Sequence, residues 1–223
     1  MIKNIHSNLY DRKNIRWVIG GSCSGKTTLC REVAKHSVVS LYDMDEHIFG
    51  NYMQRYTKKD HPANSAWFSA ENPLDWALSL SLKEFDKFNR AANVEYLRLF
   101  SEDMMNRKDD RLVLVDGGIA YPFLLSKVIP IENVICLRVS IEESEKIWET
   151  AESKKSMKTM ISLLPNAEQK WKKFLACNKL ITDILLKEAS GCGIEIIDRD
   201  NISTNRLRDF LGCELGIPGR GSL

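Results

Sequence analysis

The residues best equipped for chemistry lie close together near the amino terminus. Gly20, Gly21, Ser22, Cys23, Ser24, Gly25, Lys26 and Thr27 complete the pattern G-x-x-x-x-G-K-[ST]. The apolar run Trp17-Val18-Ile19 leads into it, and Thr28 to Ala34 reads as the helix leaving it, which is the context this pattern requires. A polyphosphate carries closely spaced negative charges, so binding one takes several backbone N–H groups aimed at one point, and glycines permit both the turn and the close approach. The expected cradle runs from Gly20 to Thr28, with Lys26 reaching the β and γ phosphates and the Thr27 hydroxyl on Mg²⁺. Cys23 reads first as a small tolerated side chain; a redox role is the lesser alternative, since amide dipoles and Lys26 could lower its thiol pKa.

Two further signals supply carboxylates. Leu112 to Val115 is an apolar strand that delivers Asp116 at its end, before Gly117 and Gly118. An aspartate there can hold Mg²⁺ through water, or it can merely begin a glycine turn. Asp43 and Asp45 follow another strand, and extended alternation would send both to one side. One could then assist the metal while Asp45 orients an attacking hydroxyl or accepts its proton, positioning and charge stabilisation being most of what phosphoryl transfer needs. The competing explanation is that an aspartate here caps a helix starting near Glu46. Arg55 could take an anionic group on the acceptor, or be an ordinary surface arginine. His47 and His61 form no relay or metal pattern, and Trp67 and Trp76 read as packing residues.

These residues need a scaffold. Five β-rich runs, at 16–19, 38–42, 112–115, 134–139 and 194–197, alternate with helical segments, predicting an α/β fold with a five-stranded parallel sheet covered on both faces. Ligands of such sheets bind at the carboxyl ends of the strands. Ser140 and Glu143 predict a capping box for a helix over 141–152. Pro165 suits the first turn of a long helix reaching about Ala189 and stopped by Gly191. Residues 46–110 form a long insertion, predicted to hold the substrate-selecting part: loop over 58–65, then an amphipathic helix carrying Phe85, Phe88, Ala92, Tyr96 and Leu99. Residues 216–223 read as a frayed tail.

Composition sets the outer bounds. With 223 residues, 43% of them hydrophobic, the chain suits one domain with a full core. Its 32 basic and 30 acidic residues leave a formal charge of +2, so no global field argues for duplex nucleic acid or an anionic membrane. No run approaches the ~20 apolar residues of a membrane span, and Met1 to Ser7 lacks the apolar core of a secretory signal, which predicts a cytoplasmic protein. The six cysteines contain no C-x-x-C pair and read as reduced thiols with no zinc framework.

Taken together, the phosphate loop, the Asp43-x-Asp45 pair and the Asp116-Gly117-Gly118 strand end resemble the small P-loop kinases of the nucleoside monophosphate kinase-like group, which includes the shikimate, gluconate and adenylate kinases. The pair is similar to the D-x-D of shikimate kinases, and Gly117-Gly118 to the glycine turn beneath their acceptor. The resemblance covers the sheet framework, about half the chain, and leaves the insertion outside. It implies a three-layer P-loop NTPase fold, ATP phosphates on Gly25, Lys26 and Thr27, Mg²⁺ on Thr27 with Asp43 assisting, and the acceptor near Asp45, Gly117 and Gly118. The chain departs from the group in two respects: Asp116 stands where shikimate kinases normally have no carboxylate, and no arginine falls between Arg138 and Arg199 to arm a lid. Lys154, Lys155 and Lys158, within a candidate lid at 150–165, are the substitutes the sequence offers, and they read equally well as a solvated helix end, since charge runs usually face water.

The expected activity is ATP- and Mg²⁺-dependent transfer of the γ-phosphoryl group to a hydroxyl or phosphate of a small metabolite, with Lys26 and Asp45 as catalytic residues. Two other classes compete with it. A regulatory P-loop ATPase or nucleotide switch would need a residue to polarise a lytic water, and none is evident. A kinase of nucleic-acid 5′-hydroxyls is disfavoured by the near-neutral charge.

Overall fold

The structure, a computed structural model, describes residues 2–199 together with 212, 216 and 217. In chain order its elements are α1 (Ile2–Leu9), β1 (Ile15–Gly20), α2 (Lys26–His36), β2 (Ser40–Asp43), α3 (Met44–Ile48), α4 (Pro62–Phe68), α5 (Pro73–Ser79), α6 (Leu82–Asn106), β3 (Val113–Asp116), α7 (Pro122–Leu125), β4 (Val134–Arg138), α8 (Ile141–Thr150), α9 (Lys155–Ser162), α10 (Ala167–Cys192) and β5 (Glu195–Asp198), with short 3-10 turns between some of them.

The five strands form one parallel sheet in the order β2-β3-β1-β4-β5. All four residues of β3 and the first four of β4 are buried, as expected of strands covered on both faces. One face packs against α1, α6, α7 and α10 through Trp17, Phe100, Leu97 and Leu185. The other face packs against α2 through Val18, Leu29, Val33 and Leu114. The register sets Asp43 beside Asp116, and Asp116 beside Val18, so the strand ends that carry the carboxylates share one edge.

Several local expectations are corrected. The segment expected as loop at 58–65 becomes helical at Pro62, because the buried carboxylate of Glu95 on α6 accepts from the N–H groups of Ala63 (2.8 Å) and Asn64 (2.9 Å) and so caps α4 from a distance. Pro165 and Gly191 do not mark the ends of the long helix: Gly191 lies inside α10, which stops at Gly193 in the left-handed conformation (φ 75°). Ser140 accepts from the Glu143 N–H, but Glu143 turns to Lys146, so only half the expected box forms and α8 ends at Thr150. A full capping box occurs instead at Ser81 and Glu84, opening α6. Of the tail expected at 216–223, Ile217 is buried against the α2 side of the sheet, while 218–223 lie outside the described residues. No helix among the described residues is long and apolar enough to cross a membrane.

The insertion meets the segment after α8 in a small cluster of its own. Leu78 of α5 and Ile161 of α9 are buried together with Leu164, with Trp171 and Phe174 of α10 packed against them. Lys170 of α10 pairs with Asp75 of α5 at the same place.

Candidate functional site

The glycine-rich segment turns from β1 into α2, with Gly25 as the residue before the first helical turn. Its first part is braced from two helices. The Ser22 hydroxyl bonds Asn178 of α10 (2.7 Å), and Ser144 of α8 donates to the Ser22 carbonyl (3.2 Å). Gly20, Gly21, Ser22, Lys26, Asp45, Gly117 and Gly118 line one cleft of about 180 Å³, together with the apolar Ile119, Ile181 and Leu185. Lys26 bends over the loop and donates to the Gly21 carbonyl (2.9 Å). The Gly117-Gly118 turn has φ of 66° and 73°, and a Cβ on Gly118 would stand 2.3 Å from Met44 Cβ, so glycine is required there. The Trp17 indole donates to the Gly117 carbonyl (2.9 Å), tying that turn to the strand that precedes the loop.

The three aspartates occupy different environments. Asp116 is 3% exposed, and one of its carboxylate oxygens, Oδ1, has no hydrogen-bond partner among the described residues. Burial raises its pKa, partly offset by a hydrogen bond from Thr27 and by the charge of Lys26. Asp45 faces the cleft. Desolvation by the surrounding protein raises its pKa, Lys26 and Lys154 pull it down and Asp43 pushes it up, while the exposure of the residue screens these effects. Asp43 corrects the expectation of strand alternation. β2 ends on it, its Oδ1 accepts from the N–H groups of Asp45 (3.1 Å) and Glu46 (3.2 Å), and Arg31 lies 3.6 Å from its other oxygen. It is therefore the cap of α3, and it is the cap that turns Asp45 toward the cleft.

Among the described residues, no group of three or more His, Cys, Asp or Glu side chains gathers as a metal cage. What is present is the Thr27 hydroxyl against Asp116 with one carboxylate oxygen unspent, and a second orphan, the Ser24 hydroxyl, on a residue 1% exposed. That donor set fits a hard cation such as Mg²⁺, which takes one or two protein oxygens and completes its shell with water and phosphate.

Arg55 is not brought to this cleft. Its guanidinium is held by Asp103 (2.6 Å) and Glu102 (2.9 Å) of α6, beside Tyr52, in a network that fastens the insertion. At Cys23 burial raises the thiol pKa and outweighs the lowering by Lys154, Ser144 and Lys26, which goes against the alternative of a lowered thiol pKa there. Thr28 sits in the first turn of α2. Lys154 lies close enough to act on both Asp45 and Cys23, and its ammonium sits over the Trp148 ring at 4.5 Å. Lys158 lies over Trp171 at 5.4 Å.

Sequence reasoning missed Arg199. It follows β5 directly, and its guanidinium lies against Gly25, where a Cβ would stand 2.6 Å from Nη1. The same strand-end logic that found Asp43 and Asp116 would have found it, had it been carried on to the fifth strand.

No family model matches the chain, and no curated protein matches it. Among solved structures, the crystal structure of TT1252 from Thermus thermophilus aligns over 90% of this chain and 97% of its own, at 14% identity and a TM-score of 0.46.

Proposed function

We propose that the chain is a P-loop phosphotransferase of the nucleoside monophosphate kinase-like type, which binds ATP with Mg²⁺ and passes the γ-phosphoryl group to a hydroxyl or phosphate of a small metabolite. The observation that carries this reading is a buried carboxylate oxygen of Asp116, without a hydrogen-bond partner among the described residues, beside Thr27 of the Gly20–Thr27 loop. A buried acceptor without a partner is costly, and a cation held beside Thr27 would remove that cost.

Each residue has a distinct task in this reading. Backbone N–H groups of the loop and the start of α2 bind the phosphate chain. Lys26 exchanges the Gly21 carbonyl for phosphate oxygens, and Thr27 with Asp116 would hold the metal. Bound Mg²⁺ neutralises charge across the transferring phosphoryl group. Asp45, on the cleft wall opposite the loop, orients the acceptor hydroxyl. Lys154 adds positive charge above Asp45, and the segment bearing it excludes water, which suppresses idle hydrolysis.

The test is a metabolite-library screen for ADP release, with Lys26→Ala and Asp45→Asn beside the unaltered protein. Lys26→Ala is expected to weaken nucleotide use with every acceptor. Asp45→Asn should keep ATP affinity within about twofold and lower transfer by about 10²–10⁴-fold, the usual contribution of a positioned acid or base. ADP release that ignores every acceptor would replace this reading with an ATPase, and salt-sensitive capture of an oligonucleotide with a 5′-hydroxyl would replace it with a nucleic-acid kinase.

A further inference from the structure

Resting on that reading, we infer that Arg199 is a binding residue for the phosphate chain of the nucleotide, a task that no feature of the loop motif assigns to it. β5 ends beside β4, and the residue after it lays its guanidinium on Gly25, the residue from which α2 starts. Gly25 is the reason it can do so. A side chain there would collide with Nη1 at 2.6 Å, and its φ of 81° already favours glycine.

Arg199 Nη1 is buried with no hydrogen-bond partner among the described residues. A guanidinium cannot shed its charge, so a buried N–H of this kind calls for an acceptor, preferably an anionic one. The start of α2 concentrates anions at the same place, and the buried hydroxyl of Ser24 and Oδ1 of Asp116 are further orphans there. Lysines elsewhere are less suited. Lys154 and Lys158 rest over the Trp148 and Trp171 rings, and an ammonium lacks the two-pronged geometry that matches phosphate oxygens. Arg199 thus supplies from the end of the sheet the forked donor that the lid segment, which contains no arginine, does not carry.

Calorimetric titration of Mg·ATP, magnesium tripolyphosphate and adenosine into the unaltered protein, Arg199→Gln and Arg199→Lys tests this. Arg199→Gln should weaken Mg·ATP and tripolyphosphate alike by about 10–100-fold, the value of a charge-assisted hydrogen bond, and leave adenosine unchanged. Arg199→Lys should fall between the two, since it keeps the charge and loses the fork, and it remains decisive if the glutamine variant folds poorly. Unchanged affinities overturn the role of Arg199 and leave the phosphotransferase reading standing. A loss for ATP with none for tripolyphosphate also overturns it, because the guanidinium would then be meeting the base. If the unaltered protein takes up neither Mg·ATP nor tripolyphosphate, both conclusions fall.

Discussion

The carboxyl edge of the sheet and the cluster joining α5, α9 and α10 make a useful contrast. At the edge, the ladder sets Asp43 beside Asp116 and Asp116 beside Val18, the residue two before the loop, so these positions follow from strand register. Among the described residues the second region has three buried apolar side chains, Leu78, Ile161 and Leu164, with half-buried neighbours, and it belongs to no sheet. It joins the insertion to the segment bearing Lys154. The second region has far less apolar burial than the first to resist local opening, and in the proposed reading it is the part that would open and close over the sheet edge.

Substitutions can break this contrast. The largest effect is expected at Trp17, which is fully buried against Phe100 and bonds the Gly117 carbonyl. Trp17→Ala should cost about 3–5 kcal/mol in urea unfolding and displace the glycine turn. A loss under about 1 kcal/mol would mean that the edge is not the rigid part.

Asp116→Asn sharpens the contrast, with an effect of opposite sign. Because burial raises the folded pKa of Asp116, ionising it costs stability. That cost is absent below the ordinary carboxylate pKa of about 3.9, grows as pH rises, and is complete above the raised folded value. The asparagine variant should therefore unfold later than the unaltered protein at pH 7, with the gap closing toward pH 3, while metal-supported transfer is lost. Melting curves that keep the same gap at both pH values would count against the burial account.

The smallest global effect is expected in the second cluster. Ile161→Ala removes a buried side chain, yet if that cluster opens before the sheet does, the unfolding free energy from urea titration should fall by no more than about 0.5 kcal/mol. Hydrogen exchange is the informative readout: protection should fall in α5 and α9 and stay unchanged in β1 and β3. Uniform loss of protection would show that the two regions unfold as one.

The same contrast explains what could be read from sequence. β3 and β4 are near-continuous apolar runs ending in polar residues, and burial on both faces leaves such runs few alternatives, so the parallel sheet was legible. The turn from β1 into α2 was legible because an apolar strand, a glycine-rich segment and a helix-forming run follow one another there, and Gly25 takes the positive φ that favours glycine. The insertion was not. Whether 62–65 is loop or helix depends on the carboxylate of Glu95, more than thirty residues away in α6, which no local rule can see. Arg55 looked available because Glu102 and Asp103 lie on that same distant helix. Asp43 followed a local rule after all, but the cap prevailed over strand alternation once β2 stopped at that residue.

Trp148 offers an optical report on the lysine segment that the proposed reading treats as a lid. Its ring lies beneath the Lys154 ammonium and edge-on to Phe174 (4.7 Å), on the helix whose Ser144 grips the Ser22 carbonyl. Any swing of the lysine segment away from the cleft strips a cation from an indole, which alters the electric field that sets its emission. With Trp17, Trp67, Trp76 and Trp171 replaced by phenylalanine or tyrosine wherever folding tolerates it, stopped-flow fluorescence of this one residue would time opening and closing without a dye or a known acceptor.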